Sequence, residues 1–169
     1  MILDNNNPQI NGICYDWSSI EFQWGDNAPG SLGNTFIVEI SKLNYGETRE
    51  SKKNYGAGSY PVSKGQGNVD VKANMTISLF QMRKLINLAV NNKVQNLDAF
   101  DINVVYKPGN STTAVVTDVI QGCSIDSTYF EATQNDMGLE IELNLNPTRI
   151  IYGTEVLPRP SRPSNTLTR

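Results

Sequence analysis

Residues 42–81 read KLNYGETRESKKNYGAGSYPVSKGQGNVDVKANMTISLFQ, and the order of parts in this stretch decides the fold class. A polar, glycine-rich arm comes first, from Asn44 to Gly67. An alternating strand follows, from Asn68 to Thr76. An amphipathic helix then opens at Ser78. The arm is too long for a hairpin turn and exceeds the about 12–15 residues that ordinary domain loops reach. It has few large aliphatic side chains to bury. It does carry Tyr45, Tyr55 and Tyr60, a residue type enriched where one protein docks on another. An arm of this kind beside a β core predicts a subunit that reaches for a neighbour.

Outward from this stretch, strand patterns dominate. Ile20, Phe22 and Trp24 alternate with Ser19, Glu21 and Gln23. Phe36, Val38 and Ile40 alternate with Glu39 and Ser41. Val69, Val71, Ala73 and Met75 alternate with Asp70, Lys72 and Asn74. Phe100, Ile102, Val104 and Tyr106 form another set, and Leu139, Ile141, Leu143 and Leu145 a fifth. Val115 to Ile120 is nearly continuous in apolar residues, and Cys123 with Ile125 opens a further short strand. Successive side chains point to opposite faces of a strand, so one face of each is apolar and the other polar. The expected class is mainly β: an antiparallel β-sandwich or barrel with one flanking α-helix and a long extended arm. Gly25–Gly30, Pro108–Asn110 and Asn135–Gly138 supply turn residues between the strands.

The helix is expected from Leu79 to about Asn91. Ser78 followed by Gln81 has the spacing of a capping box, in which a hydroxyl takes a free N–H of the first turn. Leu79, Met82, Leu85, Ile86 and Ala89 would face the core. The expected organisation is one β domain over 1–153, with the arm at 44–67 and the helix at 78–92. A proline- and arginine-rich tail at 154–169 is expected to be flexible on its own.

Composition narrows the function. Charged residues are 18% of the 169, below the roughly 25% of ordinary soluble chains. The formal charge is −3 with no broadly basic face, which speaks against sequence-specific nucleic-acid binding. Histidine is absent, which removes the commonest general base and most zinc and iron sites. There is no phosphate-binding loop. Gly65–Gln66–Gly67 lacks the third glycine of a dinucleotide fingerprint and precedes a strand. Glu140 and Glu142 share one side of a strand, where solvated carboxylates are a commoner explanation than a glycosidase pair. Cys14 and Cys123 read as buried free thiols, and spacing alone leaves a disulfide between them open. Residues 1–9 lack the basic start and apolar run of a secretory signal, and no stretch approaches the roughly 20 apolar residues of a membrane span. No enzyme activity, cofactor, metal or membrane partner is expected.

The order of segments resembles the tail tube proteins of bacteriophages. A "Lys, Tyr-Gly, small residue, Gly" stretch at Lys53–Gly58 leads through further glycines into a strand and then MTISLFQMRKLINLAV. A glycine before an Ile-Asp-Ser corner, Gly122–Ser127, precedes the final strand. The resemblance covers about residues 10–152. It implies subunits that join edge to edge into rings, usually of six, and rings that stack into a tube whose channel passes DNA during ejection without specific binding. It implies partners among copies of the chain itself, the tape measure, the baseplate or tip, and a terminator. It also implies residence in the tail of a virion assembled in a bacterial cytoplasm. The inter-ring arm would use Tyr45, Arg49, Lys52, Lys53, Tyr55 and Tyr60. The candidates for an acidic lumen are Glu39, Asp70, Glu140 and Glu142. Six copies would bring a formal charge of −18, which repels phosphates. Two alternatives stand beside this: another ring component or the tube of a contractile injection machine, and a carbohydrate-binding β-sandwich using Trp17 and Trp24 as stacking platforms.

Overall fold

The structure is a computed structural model that describes residues 17–107, 115–135 and 137–153. Cys14, the Pro108–Asn110 turn and the 154–169 tail lie outside the described residues. The strands are β1 (Ile20–Trp24), β2 (Ile40–Tyr55), β3 (Pro61–Ser78), β4 (Phe100–Tyr106), β5 (Val116–Phe130), β6 (Glu140–Asn146) and β7 (Arg149–Ile151). A helix, α1 (Leu79–Leu88), follows β3 directly. All pairings are antiparallel, in the order β1-β4-β5-β6-β3-β2, with β7 added to β5. The class is the mainly β one expected.

One strand spans both halves of the sheet. The first part of β5 pairs with β4, from Tyr106↔Val116 to Phe100↔Cys123, and its second part pairs with β6, from Ser124↔Asn146 to Phe130↔Ile141. Sequence patterning split this segment into two strands. The structure joins them through Gly122, whose φ of +65° only glycine adopts without strain. A Cβ there would also lie 2.6 Å from Thr148 Oγ1.

The edges are drawn together by the chain between β1 and β2. Trp24 N–H donates to Thr35 O at 2.9 Å and Ile37 N–H to Phe22 O at 2.8 Å. Ser78 N–H then donates to Glu39 O at 3.0 Å. This link runs from the outer edge of β1 to the end of β3, giving the sheet its barrel-like closure. It corrects the alternation expected at Phe36–Ser41. Ile37 is the buried residue, while Phe36 and Val38 are 56% and 79% exposed. The segment makes only the Gln23↔Phe36 bridge and is not a regular strand, so two-residue periodicity does not govern which side chain turns inward.

Inside lie Trp24, Met75, Ile77, Phe100, Ile102, Ile120, Ile141 and Leu143, from β1, β3, β4, β5 and β6. Each fully buried aliphatic or aromatic side chain contributes roughly 1.5–3 kcal/mol over its exposed state. Trp24 meets Phe100 edge-on with ring centroids 5.3 Å apart, which places it in the core and not on a binding face. The helix covers this core with Met82, Leu85 and, just past its end, Ala89. Ser78 Oγ accepts the Gln81 N–H at 3.3 Å, as the capping spacing predicts, and donates to the Glu39 carboxylate. The helix stops at Leu88, short of the expected Asn91. Ala89 is already extended, and Asn91 and Asn92 take the left-handed φ of 56° that asparagine tolerates better than most residues.

Candidate interaction surface

The arm is not an irregular segment. Residues 44–67 belong to a two-stranded ribbon, with β2 and β3 paired from Ile40↔Ile77 out to Tyr55↔Pro61. The turn occupies Gly56–Tyr60. Interstrand hydrogen bonds satisfy the backbone, so the stretch needs no core of its own. Pairing with β6 ends at Ala73↔Leu145. Beyond this point the ribbon leaves the barrel as a hairpin of about ten residues per strand, or about 30 Å at the rise of an antiparallel strand. Every residue from Glu47 to Asp70 is exposed. With both faces in water there is no alternation of apolar and polar positions, which is why its strands were hidden in the sequence.

Of the six arm residues, Arg49, Lys52, Lys53, Tyr55 and Tyr60 lie on this exposed hairpin, and Tyr60 at its turn is 84% exposed. Arg49 donates to Gln66 Oε1 at 3.0 Å across the ribbon. Tyr45 is placed differently, at the root. It is half-buried, donates to Asp118 Oδ2 at 2.6 Å, and its hydroxyl lies 2.5 Å from that of Tyr106. The Asp118 carboxylate is itself buried and accepts the Gly153 N–H at 2.8 Å through its other oxygen. Tyr152 stacks on Tyr45, with ring centroids 6.5 Å apart. Burial first, and then its bonds to Asp118 and Tyr106, push the Tyr45 phenol far above its ordinary range. The node ties the hairpin root (β2) to β4, β5 and the segment after β7. Sequence reading missed Asp118, a lone acid in the apolar run 115–120. That position inside a buried strand was the available signal, since a buried carboxylate needs partners.

The lumen candidates fall on one polar surface. Asp70 shares the β3 face of Lys72, Asn74 and Thr76. Glu142 stands opposite Thr76, Glu140 opposite Ser78, and Asn144 opposite Asn74. Glu39 joins them at the helix end through its contact with Ser78. The surface is not purely acidic. Lys42 stands opposite Thr76 on β2, and Lys72 lies 3.2 Å from Asp70, an exposed pair of little energetic weight. A groove of about 550 Å³ runs where β6 ends and the ribbon departs, lined by Asn44, Asp70, Lys72, Asn144 and Asn146 among others.

Cys123 is a buried free thiol, as expected. Burial, with the charge of Asp101 second, pushes its pKa up to about 12. Trp17 is exposed and packs its ring 5.4 Å from that of Phe22. Among the described residues no helix is long and apolar enough to cross a membrane.

No protein-family profile and no curated protein matches the chain in sequence. Solved structures do match it in shape. A chain of the sheath–tube complex of an extracellular contractile injection system (PVC), in the extended state, has a TM-score of 0.54 at 16% identity, covering 83% of this chain and 92% of that one. A chain of the anti-feeding prophage cap, described as a tube-terminating cap, has a TM-score of 0.55 at 16% identity, covering 83% and 91%. A chain of the six-fold symmetrised anti-feeding prophage baseplate has a TM-score of 0.50 at 13% identity, covering 79% and 89%. At such identities the likeness shows the architecture alone, one shared with these chains of contractile injection system and anti-feeding prophage assemblies.

Proposed function

We propose that this protein is a structural subunit of a tail tube, forming stacked rings, six subunits to a ring, around a channel that conducts DNA during ejection. The observation that carries this reading is the hairpin. A ribbon of about 30 Å that buries nothing in its own subunit adds no core stability and leaves open strand edges, a liability unless a neighbour covers them. Its exposed Tyr55, Tyr60, Arg49, Lys52 and Lys53 are the contacts with the next ring, and Tyr45 sets the root from which they project. The similar chain in the six-fold symmetrised baseplate supports the ring number. Asp70, Glu140, Glu142 and Glu39 line the channel on their shared polar face and keep phosphates from adhering. Partners are further copies, a tape measure, a baseplate or tip, and a terminator, in a virion tail assembled in the host cytoplasm.

The test is to shorten the hairpin by joining Arg49 to Val69, a directly opposed pair, through an Asn-Gly turn. The shortened chain should keep its melting temperature and lose tube formation in electron micrographs of concentrated protein. Long tubes from it would refute the assignment. A second reading has its own support, because the tube-terminating cap matches in shape as well as the sheath–tube chain. A terminator would form single rings that do not stack, which the same micrographs distinguish.

A further inference from the structure

An apolar groove of about 360 Å³ opens at the start of β2, lined by Trp17, Ile20, Phe22, Phe36, Val38 and Ile40. It carries the exposed Phe36 and Val38 described above, and Trp17 beside them is 52% exposed. Large side chains grouped in this way on a charge-poor surface mark a docking site more often than chance exposure. Glu21 lines the groove and is paired at 2.6 Å with Lys107, so the charge that meets the tip is that of the body as a whole. The far end of the same strand is complementary in both respects. Tyr55, Tyr60 and Val62 are exposed around the hairpin turn. The distal ribbon, residues 49–66, has Arg49, Lys52, Lys53 and Lys64 against the single acid Glu50. That is a formal +3, leaving −6 on the rest of a chain whose total is −3.

We infer that the hairpin tip of one copy docks in the Trp17–Phe36–Val38 groove of the next. The deduction rests on the stacked-ring reading and names the surface that receives the hairpin. Ile40 at the groove and Tyr55 at the tip are fifteen residues apart on one strand, a span of up to about 50 Å, so a tip cannot fold back into its own groove. Donor and acceptor therefore sit at opposite ends of the subunit. A contact of this kind is heterologous and repeats from copy to copy, along the direction of β2, without using itself up. The aromatic tip supplies the buried anchor, and the lysines on its flanks meet an acidic body, which steers the encounter.

The test is thiol trapping between two tagged populations in a Cys14→Ser background, one Tyr60→Cys and one Val38→Cys. A control pair combines Tyr60→Cys with Asn87→Cys, an exposed helix position. Val38 and Tyr60 are both largely exposed, so the variants fold. Tip and groove should give about ten-fold more heterodimer than the control, through the raised effective concentration of docked partners. The excess should fall in 1 M salt, where the screening length is about 3 Å. A Val38→Lys partner carrying a second cysteine at Phe36 should abolish the excess. Trapping no greater than the control overturns the docking. Tubes from the unmodified chain alongside control-level trapping overturn the docking and leave the tube reading standing. Strong trapping without rings or tubes does the reverse.

Discussion

Removing one oxygen atom, by Tyr45→Phe, tests the root of the hairpin. In the wild type that hydroxyl donates to Asp118 Oδ2 at 2.6 Å and accepts from Tyr106 at 2.5 Å, while Gly153 N–H holds the other Asp118 oxygen at 2.8 Å. The ring of phenylalanine fills the same space and keeps the stack on Tyr152, so no cavity arises. Two hydrogen bonds are lost, and the one to the buried carboxylate is worth about 1.5–3 kcal/mol. For a chain of this length each kcal/mol lowers the melting temperature by about 2–4 °C, so a fall of roughly 3–12 °C is expected. The pH dependence carries a second signature. The folded-state pKa of Tyr45 is raised above the ordinary phenol value of about 10, chiefly by burial. Its contribution is therefore fully present below about pH 10 and is lost as pH rises further, because the unfolded chain sheds the proton first. The slope is at most about 1.4 kcal/mol per pH unit, less to the extent that water reaches a half-buried ring. Urea melts of both proteins at several values between pH 7 and 11 give the difference, in which other titrating groups cancel. A difference near zero at pH 7, or one that stays constant through pH 11, would show that Tyr45 is not the tether.

Other expectations concern the fold and the surface. Ser78→Ala removes the helix cap and a partner of Glu39 and should cost about 0.5–2 kcal/mol in denaturant melts. Leu85→Ala, at a fully covered position under the helix, should cost about 2–5 kcal/mol, and an unmoved midpoint would mean this face is not packed. Gly122→Ala should destabilise by more than the roughly 1–2 kcal/mol of a left-handed L-residue, since its Cβ also meets Thr148. Cys123 should resist thiol reagents at pH 8 in the folded protein and react at once in denaturant; rapid labelling without unfolding would contradict its burial. Lysine at Asp70, Glu140 and Glu142 together should slow ejection and leave assembly nearly intact, and unchanged ejection kinetics would remove these acids from the channel wall.

The sequence by itself determined the parts whose environment is one-sided. Ile20–Trp24, Val71–Met75, Phe100–Tyr106 and Ile141–Leu145 each press one face on the core and show the other to water, and that asymmetry writes the two-residue period into the chain; Leu139, expected in the same set, is exposed ahead of the strand. Ser78 with Gln81 marked the helix start because capping is a local interaction. Three features were decided only in three dimensions. The distal hairpin from Glu47 to Gly67 has water on both faces, so its strands left no pattern and read as an arm. The Phe36–Glu39 link turns Ile37 inward because it is held to β1 on one side and to Ser78 on the other, and residues far away in the chain impose that choice. The Tyr45–Asp118 node joins residues 73 positions apart, and no local spacing announces it. The groove at Trp17 and the basic tip at Tyr60 were both visible as residues, but their places at opposite ends of one long strand follow from the ribbon that tertiary folding builds.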